Sequence, residues 1–422
     1  MRNPILLVLL SGAAGAALIT ASAFGQQGQT VTPPKARYAM DVGTSSGFGA
    51  GGRAPSLGAI LGGGGGGGSV VHELRLRLGS SLPPSGGAAK ADHFFQPAAD
   101  LGPSVPLHWE RQGTTPGETE YQRPKGKLLI YWGCGERAGP GQPVVVDFAR
   151  IAAGQMPPGL FSTNVPVDRG PSAANSKTYG EWPNVKTAKQ VTGRSSLIGE
   201  HRVAGTYSPE IKFALTQDYM AGLSARSAIA PSGAVNLTWN SLPNATGYYA
   251  WAFGAKEMGE KAPEEMVWWT SSAAKEFGGG LWDWLPPETV RRLIASKVVM
   301  PPSQTSCTVP AEVRQAAPQF MMGNLFAYGP EANFVYPPRP ANPRTPWNQE
   351  WTARVRYRSN TSFLVGGPDL SGLGNDEAAN ADSGSTAEAP KKKCKKRGLG
   401  GLGGLGGLGG AIGGALGGNK CE

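Results

Sequence analysis

The chain has 422 residues, with 40 Lys and Arg against 30 Asp and Glu for a formal charge of +10, which leaves room for two or three domains. Its 63 glycines and 36 prolines fall in clusters, so much of the length reads as linker. With only four histidines and no H-E-x-x-H or G-x-S-x-G string, the common zinc-protease and serine-hydrolase signatures are excluded, and neither a cofactor nor a metal is expected.

Residues 1–23 read as a signal peptide. Arg2 supplies the positive end, Ile5 to Leu10 and Ala13 to Ile19 the apolar run, and Ala21-Ser-Ala23 an A-x-A cleavage site. The mature chain would begin at Phe24. The expected location is the periplasm, the outer envelope or the exterior, where cysteines pair and nucleic acid is not the expected partner.

Residues 24–69 read as a disordered, Gly-rich linker ending in Gly62 to Gly68. Gly47-Phe-Gly-Ala-Gly-Gly52 matches a dinucleotide-binding string, but no strand precedes it and no helix follows. Residues 70–230 read as a β-rich domain. Leu74, Leu76 and Leu78 alternate with charged residues, the pattern of a one-sided strand. Further strands are expected at Val105–Trp109, Lys127–Trp132, Pro143–Ile151, Ser196–Val203 and Glu210–Leu215. Long loops are expected at Pro83–Asp100 and Gly154–Lys189.

Residues 231–362 form the second expected domain. Val235, Leu237 and Trp239 alternate with polar residues. A Pro/Asn turn follows, and then Gly247-Tyr-Tyr-Ala-Trp-Ala-Phe. "L-x-W, short turn, A-T-G-Y, aromatic strand" resembles the second and third strands of fibronectin type III-like sandwiches. The resemblance implies that Leu237 and Trp239 lie in a core and that Ala245 and Tyr248 open the next strand. More strands are expected at Met266–Thr270, Ser306–Val309, Gln319–Tyr328 and Trp351–Tyr357, with one helix from Pro287 carrying Val290, Leu293, Ile294 and Val298 at helical spacing. The expected fold class is therefore all-β: two sandwich-like domains with one inserted short helix, flanked by disordered Gly-rich segments.

Residues 363–397 read as a linker, acidic and then basic: Gly367 to Pro390 hold five acids and no Lys or Arg, and Lys391-Lys-Lys-Cys-Lys-Lys-Arg397 follows. Residues 398–422 are a Gly-rich tail. Gly406, Gly410, Gly414 and Gly418 have the small-x-x-x-small spacing of helices that approach closely in a membrane. The Leu repeat at every third residue opposes a helix. Membrane association or self-association of this tail stands beside the reading of a flexible tether. The whole chain also resembles exported proteobacterial proteins built as leader, β-rich body and Lys/Cys-flanked glycine tail, which implies a compartment and no activity.

Three groups of side chains are candidates for function. Arg354, Arg356 and Arg358 alternate along one strand, so their guanidinium groups share a face about 6.6 Å apart. That row would grip an anionic envelope lipid or polysaccharide, or else protect a solvated sheet edge. Trp268 and Trp269 point to opposite faces of their strand, one in the core and the other exposed or covered by Trp282-Asp-Trp284. An exposed indole there would stack on sugar rings. His108-Trp-Glu110 and Asp92-His93 are close acid–His pairs, and a hydrolase would need a pocket around one of them. Among the cysteines, Cys134 with Cys307 and Cys394 with Cys421 is the preferred of three pairings. The leading expectation is an envelope-associated protein with a binding or structural role. The alternatives are a carbohydrate-binding protein and a hydrolase.

Overall fold

The computed structural model describes residues 29–47, 70–110, 126–155, 165, 170–256 and 264–367. The leader, Gly62–Gly68, Cys394, Cys421, the basic run and the glycine tail lie outside these residues. The described chain is mostly strand. In order the strands are β1 (Val31–Thr32), β2 (Ala36–Gly47), β3 (Val71–Ser80), β4 (Ala91–Phe94), β5 (Ser104–Pro106), β6 (Lys127–Trp132), β7 (Val144–Asp147), β8 (Thr178–Trp182) and β9 (Gly199–Gly205). They continue as β10 (Ser208–Leu215), β11 (Ala225–Ile229), β12 (Val235–Trp239), β13 (Gly247–Ala255), β14 (Glu265–Thr270), β15 (Ser306–Val309), β16 (Phe320–Tyr336), β17 (Trp347–Asn348) and β18 (Trp351–Leu364). Short helices α1 (Phe148–Ala152), α2 (Pro287–Ala295) and α3 (Ala311–Ala316) interrupt them. The all-β class with a short inserted helix holds, with α1 and α3 added.

A nine-stranded sheet in the order β7-β6-β14-β13-β16-β18-β2-β3-β8 is the backbone of the molecule. One face buries Tyr38, Met40, Leu76, Tyr248, Trp269 and Val355 in the main core. The four-stranded sheet β10-β9-β4-β5 and the three-stranded sheet β11-β12-β15 contribute Val203, Phe213, Leu237 and Val309 to that core. Tyr249, Trp251, Phe326 and Tyr328 on the opposite face pack with Leu281, Val290 and Leu293 from α2 and the turn before it. A disulfide between Cys134 and Cys307, S–S 2.12 Å, ties the segment after β6 to β15.

The structure corrects several boundaries. Within the expected linker 24–69, Ala36–Gly47 is a buried strand, paired parallel to β18 and antiparallel to β3. Tyr38, Met40 and Val42 alternate there as in any strand, and the neighbouring Gly and Ser residues conceal them. The boundary at 230/231 does not divide the sheets, because β3, β6, β7 and β8 join β13, β14, β16 and β18 in one ladder. The two expected loops contain β4 and β8. The expected strand Pro143–Ile151 ends at Asp147, whose Oδ1 accepts from the Ala149 amide at 2.9 Å and starts α1. β16 outruns its expected end by absorbing Gly329-Pro330 at a register shift between Tyr328 and Glu331, where a proline without an N–H is tolerated.

Candidate functional site

A cleft lies at the β8 edge of the nine-stranded sheet. β8 pairs with β3, Arg77 opposite Glu181. The His108 amide donates to the Glu181 carbonyl at 3.1 Å and the Glu181 amide to the His108 carbonyl at 3.3 Å. This exchange holds residues 108–110 alongside the strand. Asn184 fixes the following turn: its Nδ2 donates to the Pro106 and Glu181 carbonyls at 3.0 and 2.9 Å, and its Oδ1 accepts from the Lys186 and Thr187 amides. The result is a cleft of about 520 Å³ lined by His108, Trp109, Glu110, Glu181, Pro183 and Asn184.

Trp109 is 39% exposed and stands edge-on to Tyr179 at 6.3 Å between ring centres. Glu110 forms an ion pair with Lys186, and His108 Nε2 lies 2.9 Å from its Oε1. Those two contacts, Lys186 foremost, hold its carboxyl below the usual range. Glu181 accepts from the Tyr179 hydroxyl at 2.7 Å. Burial, then that bond, raises Tyr179 well above the usual phenol range, so it remains a donor. Chemically the cleft offers a flat indole, fixed acceptors and an imidazole. As an anion throughout the physiological range, Glu110 receives hydrogen bonds and has no proton to give a leaving group.

The other acid–His pair is taken apart. His93 turns into the core, where its Nδ1 meets the Tyr38 hydroxyl at 2.5 Å and its Nε2 meets His201 Nδ1 at 2.9 Å. His201 Nε2 lies 2.7 Å from the Leu197 carbonyl.

The arginine row shares one face, as the spacing requires, but that face is covered. Arg356 is 3% exposed. Its Nε and Nη2 meet Asp41 Oδ1 at 2.8 and 2.7 Å, and its Nη1 donates to the Trp284 carbonyl. Asp41 Oδ2 takes Arg77 Nη2 at 2.7 Å. Arg358 donates to the Trp282 carbonyl, reaches Glu73 at 3.4 Å and lies over the Trp284 ring at 3.8 Å. Arg354 is half-buried. Neither a sheet edge nor an open polymer grip exists at Arg356 and Arg358, because β18 is central, β2 supplies Asp41 to Arg356 and β3 supplies Glu73 to Arg358.

Both Trp268 and Trp269 are buried. Trp269 enters the main core and donates to the Gly133 carbonyl at 2.9 Å. Trp268 is stacked beneath Trp282 at 5.3 Å, so neither indole offers a sugar platform. Sequence reasoning singled out His108 and Glu110 for their pairing and passed over Trp109 between them. Alternation in Val105–Trp109 shows the direction of the chain, not which indole stays uncovered.

Neither a protein-family model nor a curated protein matches this chain.

Proposed function

We propose that this protein is an exported, envelope-associated β-sandwich binding protein, and that the Trp109 cleft is its binding site for a carbohydrate. One observation carries the reading: an exposed indole lies in a shaped cleft beside fixed hydrogen-bond acceptors. The apolar C–H face of a pyranose ring packs on indole, while its hydroxyls donate to carboxylates such as Glu110 and Glu181. The site differs from the Trp268–Trp269 pair, and its Glu110 carboxylate serves as a hydrogen-bond acceptor. The leader-like residues 1–23 support export. The segment 225–364 supports a fibronectin type III-like unit: β11-β12-β15 lie in one sheet and β14-β13-β16-β18 side by side in the other. In that reading the strands before and after the Pro/Asn turn belong to different sheets, as in a sandwich.

Titration calorimetry with soluble gluco- and chito-oligosaccharides tests the cleft. Saturable binding is expected, weakened at least tenfold by Trp109→Ala and less by Glu110→Gln, with unchanged melting temperatures. Binding that survives Trp109→Ala, or no saturable binding to any oligosaccharide, would overturn the assignment. Cell fractionation tests export separately.

A further inference from the structure

At the other end of β8 lies a second recess of about 220 Å³, between the start of β2, the end of β3 and the segment leading into β8. Its lining holds Lys35, Arg37 and Lys177 and no carboxylate. From outside the lining, Glu350 pairs with Lys35 at 2.7 Å, which leaves the charge of Arg37 and Lys177 in excess. Arg37 is half-buried and held in position. Its Nη2 donates to the backbone carbonyl and to Oδ1 of Asn175 at 3.0 and 2.9 Å. Asn175 is itself anchored: its Nδ2 donates to the Gly170 carbonyl at 2.9 Å, and its Oδ1 accepts from the Ser172 amide at 2.9 Å and the Ser176 hydroxyl at 3.2 Å. Among the described residues, Arg37 Nε and Nη1 meet no acceptor, and Lys177 forms no ion pair. The wall made by Ser176 needs Gly79 opposite, where a Cβ would stand 2.2 Å from Ser176 Oγ.

We infer that this recess binds a phosphate monoester group. A phosphate monoester carries about −1.5 to −2 charges at neutral pH, which matches the excess of Arg37 and Lys177. The volume, set against about 30 Å³ per water in the liquid, admits the phosphate with part of its ester and some water. A guanidinium fixed along one edge is already oriented for the anion, so little side-chain freedom is lost on binding. This inference is independent of the Trp109 cleft.

The probe is inorganic phosphate, titrated calorimetrically at low ionic strength against a chloride control. Saturable binding is expected, at least tenfold weaker in Arg37→Gln and in Lys177→Gln. It should be unchanged in Lys212→Gln, a lysine on β10 whose ion pair is with Glu210. A flotation arm uses phosphatidylcholine vesicles with and without phosphatidic acid. Phosphate binding without selective flotation identifies a soluble ester as the source. Flotation that requires phosphatidic acid and is lost in Arg37→Gln identifies a lipid headgroup. Failure in both arms, binding insensitive to Arg37→Gln and Lys177→Gln, or an equal loss in Lys212→Gln would overturn the inference.

Discussion

Strand β2 carries two buried polar systems back to back, and they obey opposite rules. On one face Asp41 is clamped between Arg77 and Arg356. On the other, Tyr38 heads a chain through His93 and His201 to the Leu197 carbonyl. Both systems are almost wholly screened from solvent. The first contains full charges and the second contains none. The difference lies in what each neighbour supplies. Asp41 finds guanidinium groups, which cannot shed their protons, so charge is met by opposite charge. Among the described residues no carboxylate is hydrogen-bonded to either ring of the histidine pair, and burial, reinforced by the neighbouring His201 ring, pushes His93 well below its ordinary pKa. Burial likewise lowers His201, against smaller upward pulls from the Leu197 carbonyl and Glu200.

Neutrality fixes the protons along the chain. His201 Nε2 faces a carbonyl, which only accepts, so Nε2 holds the hydrogen and Nδ1 is bare. His93 Nε2 must therefore donate to it, and the Tyr38 hydroxyl must donate to His93 Nδ1. Burial, with Asp41 as a lesser cause, raises Tyr38 well above the phenol range, consistent with that role.

The largest effect is expected on the charged face. Asp41→Asn removes the negative charge that two buried guanidinium groups share. Loss of one partner from a buried ion pair destabilises by about 3–5 kcal/mol. Urea unfolding should show a loss of that size with an unchanged slope. A loss under about 1 kcal/mol would mean that water or another acid takes the place of Asp41, and the contrast between the faces would collapse.

Acid should act on the neutral face. A histidine with a folded pKa below its unfolded value binds fewer protons when folded. Stability is then full above the unfolded pKa of about 6.5 and is lost as pH falls from there toward the folded pKa. Each of His93 and His201 adds a slope of up to about 1.4 kcal/mol per pH unit in that window. His72, also lowered mainly by burial against an upward pull from Asp218, adds to it. Unfolding free energies measured from pH 7 to 5 should fall, and His93→Gln with His201→Gln should flatten the slope. An identical slope in that double variant would place the acid sensitivity elsewhere.

The class of the fold was legible because strand alternation is local. β6 and β15 match their expected spans residue for residue. What could not be read is how strands are paired across the sequence. The Arg354–Arg358 alternation looks like a solvent-facing edge, since the partner that buries it, β2, lies about three hundred residues earlier in a stretch whose Gly and Ser content suggests linker. The same holds for Arg37 and Asn175, which meet only because β3 brings β2 and β8 to its two sides. Trp268 and Trp269 show the reverse limit. Alternation assigns them to opposite faces correctly, yet a second layer containing Trp282 covers the outer one, and layering is not a local property.

The smallest effect separates a hydroxyl that belongs to the neutral chain from one that does not. Tyr38→Phe deletes the donor to His93 Nδ1, and that nitrogen remains a buried acceptor because the other end of the chain is fixed by Leu197. A lost hydrogen bond with an acceptor left bare costs about 1–3 kcal/mol. Tyr207 is equally buried and joins the same core, but its hydroxyl meets no partner among the described residues. Tyr207→Phe therefore loses no bond, and removing a desolvated hydroxyl is expected to change stability by less than about 0.5 kcal/mol or to raise it. The two substitutions delete the same atom from the same kind of site, so transfer and volume terms largely cancel between them. Their difference in unfolding free energy at pH 7 reports the chain alone. Equal losses in the two variants would show that the Tyr38–His93 contact contributes no more than packing does.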